Sequence, residues 1–244
     1  MKKDLQDLTV LYGRHACIAA LQNPKRKIRR TLVTKNAQHK LQDILPANIE
    51  IVDDRTISKN LTPDAVHQGI CVFAEPLNDG EPKIAELGNL VVLLDEVTDP
   101  HNIGAIMRSA SAFGATAVIT TFRNSPAEGG VLAKSASGAL EYIAYGRVRN
   151  LVKYMAVLSE NNFTLIGLDG EAETEISSAF TAKRYAEKYA IVLGAEGKGL
   201  RGITKENCDI LAKISMSERQ ESLNVSNAAA ISLWEAQKHL ALAS

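Results

Sequence analysis

The chain has 244 residues, of which 45% are apolar, 23% charged and 5% aromatic, with a formal net charge of zero. That is the composition of a globular protein with room for one large or two modest domains. No apolar run approaches the roughly 20 residues that span a bilayer, and residues 1–10 lack the apolar stretch of a signal peptide, so a cytoplasmic protein is expected. Cys17, Cys71 and Cys208 are scattered and the histidines lack ligand spacing, so neither a disulfide framework nor a metal site is expected.

Residues 1–75 alternate helical and strand signals. A short helix is predicted over 13–21, stopped by Asn23-Pro24. A strand follows over 28–33, a helix over 38–45 ended by Pro46, a strand over 49–52, a helical turn over 57–61 and a strand over 69–74. Zero net charge argues against a protein that holds nucleic acid by bulk charge alone, but the charge is uneven. Residues 1–80 carry 12 Lys/Arg against 9 Asp/Glu, whereas 81–244 carry 16 against 19. Lys25, Arg26, Lys27, Arg29 and Arg30 form the densest basic patch, suited either to a solvated loop and strand start or to contacts with phosphates.

Residues 76–89 contain two prolines, two glycines and several charges without an apolar period, and are predicted to be a linker with at most one helical turn. Beyond them the signals strengthen. Val91 to Leu94 is an apolar run of the kind buried on both faces of a parallel sheet. Predicted elements then follow: a helix over 103–113, a strand over 117–121, a helix over 130–136, a short strand over 142–145 and a helix over 152–160. Strands over 163–168, 190–193 and 210–214 and a closing helix over 227–240 complete the chain. Such alternation predicts an α/β protein: a small N-terminal domain (1–75) and a mostly parallel sheet covered by helices (90–244).

In parallel sheets, loops at the carboxyl ends of strands form the ligand site. Three are rich in glycine and polar residues. DPHNIGAIMR (99–108) leads into a helix, where Asp99 or Asn102 suits a cap and Arg108 falls inside. GAEGKGL (194–200) places three glycines after a buried strand, allowing a tight turn and close approach to a ligand; it is neither a dinucleotide fingerprint nor a P-loop. ESLNVS (221–226) carries more hydroxyls and amides than one cap requires, although Ser222 or Ser226 suits that role. No G-x-S-x-G elbow surrounds Ser222, which disfavours a serine hydrolase.

Together and in this order, the three motifs resemble the signatures of the SpoU (TrmH-like) branch of the SPOUT RNA 2′-O-ribose methyltransferases, over residues 90–244. LYGRHACIAAL (11–21) and HQGICV (67–72) are similar to the RNA substrate-binding domain of the bacterial 23S rRNA guanosine-2′-O-methyltransferases, and KSASGALE (134–141) to the same subgroup. The resemblance implies S-adenosyl-L-methionine as cofactor, RNA as substrate, a C-terminal trefoil knot and a homodimer through the catalytic domain. It implies a catalytic pocket of Asn102, Arg108, Glu196, Ser222 and Asn224. Leu193, Gly194, Glu196, Gly199, Ile214, Met216, Ser222 and Leu223 would hold the cofactor, and Arg14, Lys25, Arg26, Lys27, Arg29 and Arg30 would contact RNA.

A guanidinium has donors only and stays protonated. Arg108 is therefore expected to clamp the phosphate beside the target ribose, with Glu196 orienting Arg108 or the glycine loop. The third motif departs from the family form at Ser215, Glu218 and Gln220, which bears on cofactor affinity. A tRNA substrate and a non-catalytic RNA-binding protein on the same fold are the alternatives; a dehydrogenase is disfavoured by the missing glycine fingerprint.

Overall fold

A computed structural model describes residues 8–77, 80–182, 187–217, 219–220 and 222–243. The N-terminal part runs β1 (Thr9–Tyr12), α1 (Arg14–Gln22), β2 (Ile28–Val33), α2 (Lys35–Leu41), β3 (Glu50–Ile51), α3 (Asp54–Ser58) and β4 (Ile70–Ala74). Its sheet has the order β1-β4-β2-β3, with β4 antiparallel to both neighbours and β3 parallel to β2. Side-chain caps set two of its helix starts. Thr34 Oγ1 accepts from Ala37 N at 3.3 Å, which begins α2 three residues before the predicted position. Asp53 Oδ1 accepts from Thr56 N at 2.8 Å and likewise starts α3 early.

The second part runs β5 (Leu90–Asp95), α4 (Pro100–Ala112), β6 (Ala117–Thr121), α5 (Gly130–Ala136), β7 (Ala144–Val148), α6 (Leu151–Glu160) and β8 (Phe163–Leu168). It continues with β9 (Thr174–Glu175), α7 (Ile176–Ala182), β10 (Lys188–Gly194), α8 (Gly202–Glu206), β11 (Ile210–Lys213) and α9 (Val225–Ala243). The sheet order is β7-β6-β5-β10-β8-β11-β9, and every described ladder is parallel. The carboxyl ends of its strands therefore share one edge.

Alternating residues divide the core into two layers. Leu90, Val92, Leu94, Val118 and Ile191 pack under α4, α5 and α9, whereas Val91, Leu93, Ile119 and Val192 pack under α6. Each of these side chains is fully buried, worth about 1.5–3 kcal/mol apiece.

The first layer continues into the N-terminal part through Leu11, Ala16, Cys17 and Ala20. Small residues make the close approach possible. A Cβ on Gly130 would lie 2.4 Å from the Tyr12 ring, and one on Gly138 would lie 2.9 Å from Ala19 Cβ. The 134–141 segment singled out above is thus the seat of the N-terminal part. The connecting residues are also packed: Arg147 N donates to Gly80 O at 3.0 Å, Tyr154 OH to Pro82 O at 3.0 Å, and a single 3-10 turn spans Ile84–Glu86.

One expectation is overturned at this junction. Arg26 is not a solvated RNA contact. Its side chain is 0% exposed and lies between Glu128 and Glu141, each 2% exposed, with Nε donating to Glu141 Oε2 at 3.0 Å. A guanidinium that deep must have its donors and its charge matched, and carboxylates more than a hundred residues away in sequence supply both. Of the other candidates, Arg14, Lys25, Lys27 and Arg29 are exposed and Arg30 partly so. Arg29 pairs with Glu75 and Arg30 with Glu50 at 2.7 Å.

Candidate functional site

Three loops meet at the carboxyl edge of the parallel sheet. The first leaves β5. Asp99 Oδ1 caps α4 by accepting from His101 N at 2.9 Å, and Pro100 occupies a first-turn position where its missing N–H costs nothing. The cap is therefore Asp99, which frees the Asn102 side chain for other partners.

The second loop leaves β10, the strand at the centre of the sheet. A Cβ on Gly194 would lie 2.1 Å from Gly199 C, so the turn closes only over glycine. Gly199 N donates to Ala195 O at 2.8 Å across that turn. Within it Glu196 takes a left-handed backbone, φ 60°, a conformation that costs a non-glycine residue about 1–2 kcal/mol. Behind it, the fully buried Asp95 accepts from Arg201 N at 3.1 Å and from Arg201 Nε at 2.7 Å. This tie anchors the loop to the end of β5 and holds the Arg201 guanidinium further above its ordinary range.

The third loop precedes α9. Neither Ser222 nor Ser226 caps that helix; Asn224 Oδ1 does, accepting from Ser226 N at 2.9 Å. The other end of the same amide turns to the first two loops. Asn224 Nδ2 donates to Asn102 Oδ1 at 3.0 Å and to Glu196 Oε1; Asn102 Nδ2 donates to the same Glu196 oxygen at 3.1 Å, and Val225 N donates to it at 3.4 Å. One carboxylate oxygen thus gathers donors from α4 and from the start of α9. These hydrogen bonds hold Glu196 in its left-handed conformation.

Beside this cluster lies a cavity of about 400 Å³. All eight residues expected to hold a cofactor line it: Leu193, Gly194, Glu196, Gly199, Ile214, Met216, Ser222 and Leu223. The cavity has a further wall that the sequence reading missed, Leu168, Asp169, Gly170 and Glu171, the loop leaving β8. An Asp-Gly pair directly after a buried strand was the signal. Asp169 pairs with Lys205 at 2.6 Å; burial raises the pKa of this carboxyl, but Lys205 and the Glu171 N–H more than offset that and hold it below its ordinary range.

Of the two partners expected for Glu196, Arg108 or the glycine loop, the structure shows no tie to Arg108. It is exposed on α4 and has no hydrogen bond or ion pair with Glu196, whose bonded oxygen is already committed to the two asparagines. Of the departures in the third motif, Ser215 Oγ donates to Glu175 Oε1, and Gln220 Nε2 to Ser222 O at 3.3 Å; Glu218 lies outside the described residues. Among the described residues, no group of three or more His, Cys, Asp or Glu side chains could hold a metal ion.

A parallel α/β domain with a glycine-rimmed cavity at its carboxyl edge, carrying a small α/β domain on one flank, defines a two-part α/β protein with a candidate ligand site at the sheet edge. Comparison with known proteins names the class. The SpoU rRNA methylase family profile matches residues 89–234, and a profile for RNA 2′-O ribose methyltransferase substrate binding matches residues 10–80. The chain is 35% identical over 245 residues to the Escherichia coli 23S rRNA (guanosine-2′-O-)-methyltransferase RlmB, covering 93% of this chain and 97% of the relative. It is 34% identical over 242 residues to an uncharacterized tRNA/rRNA methyltransferase of Synechocystis, covering 93% of this chain and 62% of that longer protein. The crystal structure of the SpoU methyltransferase AviRb from Streptomyces viridochromogenes superposes with a TM-score of 0.80 at 20% identity, covering 97% and 91% of the two chains. The chain belongs to the SpoU rRNA methylase family.

Proposed function

We propose that this protein transfers a methyl group from S-adenosylmethionine to the ribose 2′-oxygen of a guanosine in 23S rRNA. The observation that carries the reading is the convergence of all three motif loops on one carboxylate, Glu196, at the mouth of the cavity. Kinship over nearly the full length with RlmB supports the RNA and the nucleotide. A relative of the same fold, AviRb, has been solved in complex with AdoMet.

The cavity fits that cofactor in size and character. Leu193, Ile214 and Leu223 give apolar walls for an adenine, and Gly194 and Gly199 bring backbone within reach of a bent ligand. When bound, the cofactor supplies an electrophilic methyl on a good leaving group, so alignment is the main demand on the protein. Asn102, Asn224 and Ser222 fix the floor on which acceptor and donor meet, with Glu196 holding the two amides in register. Arg108, free of protein partners among the described residues, holds the phosphate beside the target ribose, and the hydroxyl proton leaves to that phosphate or to water. Residues 1–75 bind the substrate RNA and residues 90–244 carry the chemistry, in the cytoplasm where rRNA is made. The chain's return from β11 past β8 to β10, where α9 packs on α4, supports threading of the closing segment into a trefoil knot.

The same reading includes a homodimer through α9. Ala229 and Leu233 are fully buried within the subunit, which leaves Ile231 and Trp234, 38% and 51% exposed, for a partner. Sedimentation equilibrium decides this: a dimer that Trp234→Asp splits is expected, and a monomeric wild type contradicts it. For the activity, methylated riboses are mapped in RNA from cells with and without the gene. Loss of one 23S rRNA guanosine methylation is expected, and an unchanged map overturns the proposal.

A further inference from the structure

The three arginines of the basic run at 25–30 are all committed to carboxylates. Arg26 is buried on two carboxylates, and Arg29 and Arg30 are paired with Glu75 and Glu50. Between residues 117 and 153 the chain has five cations, Arg123, Lys134, Arg147, Arg149 and Lys153, and two carboxylates, Glu128 and Glu141. Both carboxylates are taken up by Arg26. Among the described residues, none pairs with Arg123, Arg147 or Arg149.

An aromatic ring stands among these arginines. The Arg147 guanidinium carbon lies 4.7 Å from the centre of the Phe122 ring, and Phe122 keeps 42% of its surface exposed. The β6–β7 register sets Arg147 beside Thr120, and Phe122 N donates to Val148 O at 3.0 Å. Phe122, Arg123 and Arg149 therefore emerge where β6 and β7 end, along the same edge of the sheet as the cavity. The 122–126 loop is also tied to the first motif. Buried Ser125 Oγ donates to Val97 O at 3.0 Å, in the loop that leads to Asn102, and Tyr145 OH donates to Pro126 O at 2.8 Å.

A half-exposed aromatic face under a guanidinium, flanked by unpaired arginines, has the chemistry that receives unpaired nucleotides: bases stack on the ring and phosphates meet the cations. We propose that Phe122, Arg123, Arg147 and Arg149 form a second RNA-contacting surface, on the catalytic domain itself. It takes an unpaired nucleotide adjoining the target ribose, whose base joins the Phe122–Arg147 stack while its phosphates lie against Arg123 and Arg149. The proposal rests on the RNA methyltransferase reading above.

The test measures binding of a labelled single-stranded RNA containing the target guanosine to the full-length protein, by fluorescence anisotropy across a salt series. Calorimetry with S-adenosylmethionine serves as a folding control. Phe122→Ala is expected to weaken RNA binding about tenfold, whereas Phe122→Tyr, which keeps the ring face, retains wild-type affinity. Arg123→Gln with Arg149→Gln is expected to flatten the slope of log affinity against log salt by about 1.4, the release expected from two single-strand phosphates. Both arginines are exposed, so the fold does not depend on them. If the wild type methylates RNA while Phe122→Ala and the arginine pair bind it with unchanged affinity and slope, the surface is overturned and the enzymatic reading stands. If the wild type neither binds nor methylates RNA, both fall.

Discussion

Two carboxylate-centred clusters organise this molecule, and burial separates their roles. At the junction of the two domains, Arg26 lies between Glu128 and Glu141 with side-chain exposures of 0%, 2% and 2%. At the cavity mouth, Glu196 is exposed and is held by neutral amides from Asn102 and Asn224. A buried carboxylate must be neutralised by an opposite charge, so the first cluster works as a joint. A solvated one needs only to be oriented, which leaves its surroundings open to ligands. Net charge alone does not tell the two apart; access to water does.

The comparison breaks first at the joint. Arg26→Met strands two buried carboxylates and is expected to cost about 3–5 kcal/mol of stability in urea unfolding; a loss under about 1 kcal/mol would mean that water reaches the cluster. At the open cluster the geometry of the turn matters more than charge. Gly194→Ala places a Cβ against the Gly199 backbone, which displaces Glu196 and the cavity rim. Turnover is expected to fall roughly a hundredfold, as for a misplacement of about 1 Å, and the backbone clash to cost about 1–3 kcal/mol of stability. Wild-type kinetics in that variant would show that the loop tolerates a side chain.

The smallest effect is expected from the Asp169–Lys205 pair, whose side chains are 14% and 32% exposed. Lys205→Met is expected to cost under about 1 kcal/mol in the ligand-free protein. Because Asp169 is held below its ordinary pKa, the pair's contribution is present above the unfolded carboxyl value and is lost as pH falls through the folded one. The difference between variant and wild type is therefore full from about pH 5 to pH 9, begins to shrink near pH 4 and is gone only below the lowered folded value. A difference that persists in acid would assign the effect to packing of the lysine stem instead.

The parallel sheet was readable because its central strands are continuous apolar runs; β6, β8 and α5 fall at the predicted residues. Shorter elements were not readable. β1 is four residues beside a charged terminus, and α8 is five residues without a side-chain cap. The motif loops were legible because glycine and amide clusters after buried strands have few structural uses. The Asp169 loop escaped because a single Asp-Gly also marks any turn. Arg26 escaped for a different reason: it stands in a run of five cations, and the carboxylates that bury it are supplied only by the tertiary fold.

The most direct test of the account is transfer of tritium from methyl-labelled S-adenosylmethionine to 23S rRNA, comparing the wild type with Asn224→Ala. The account predicts label on a guanosine ribose with the wild type and a rate lowered roughly a hundredfold when the amide that joins Asn102 to Glu196 is removed. Equal transfer by the two proteins, or none by the wild type, would contradict it.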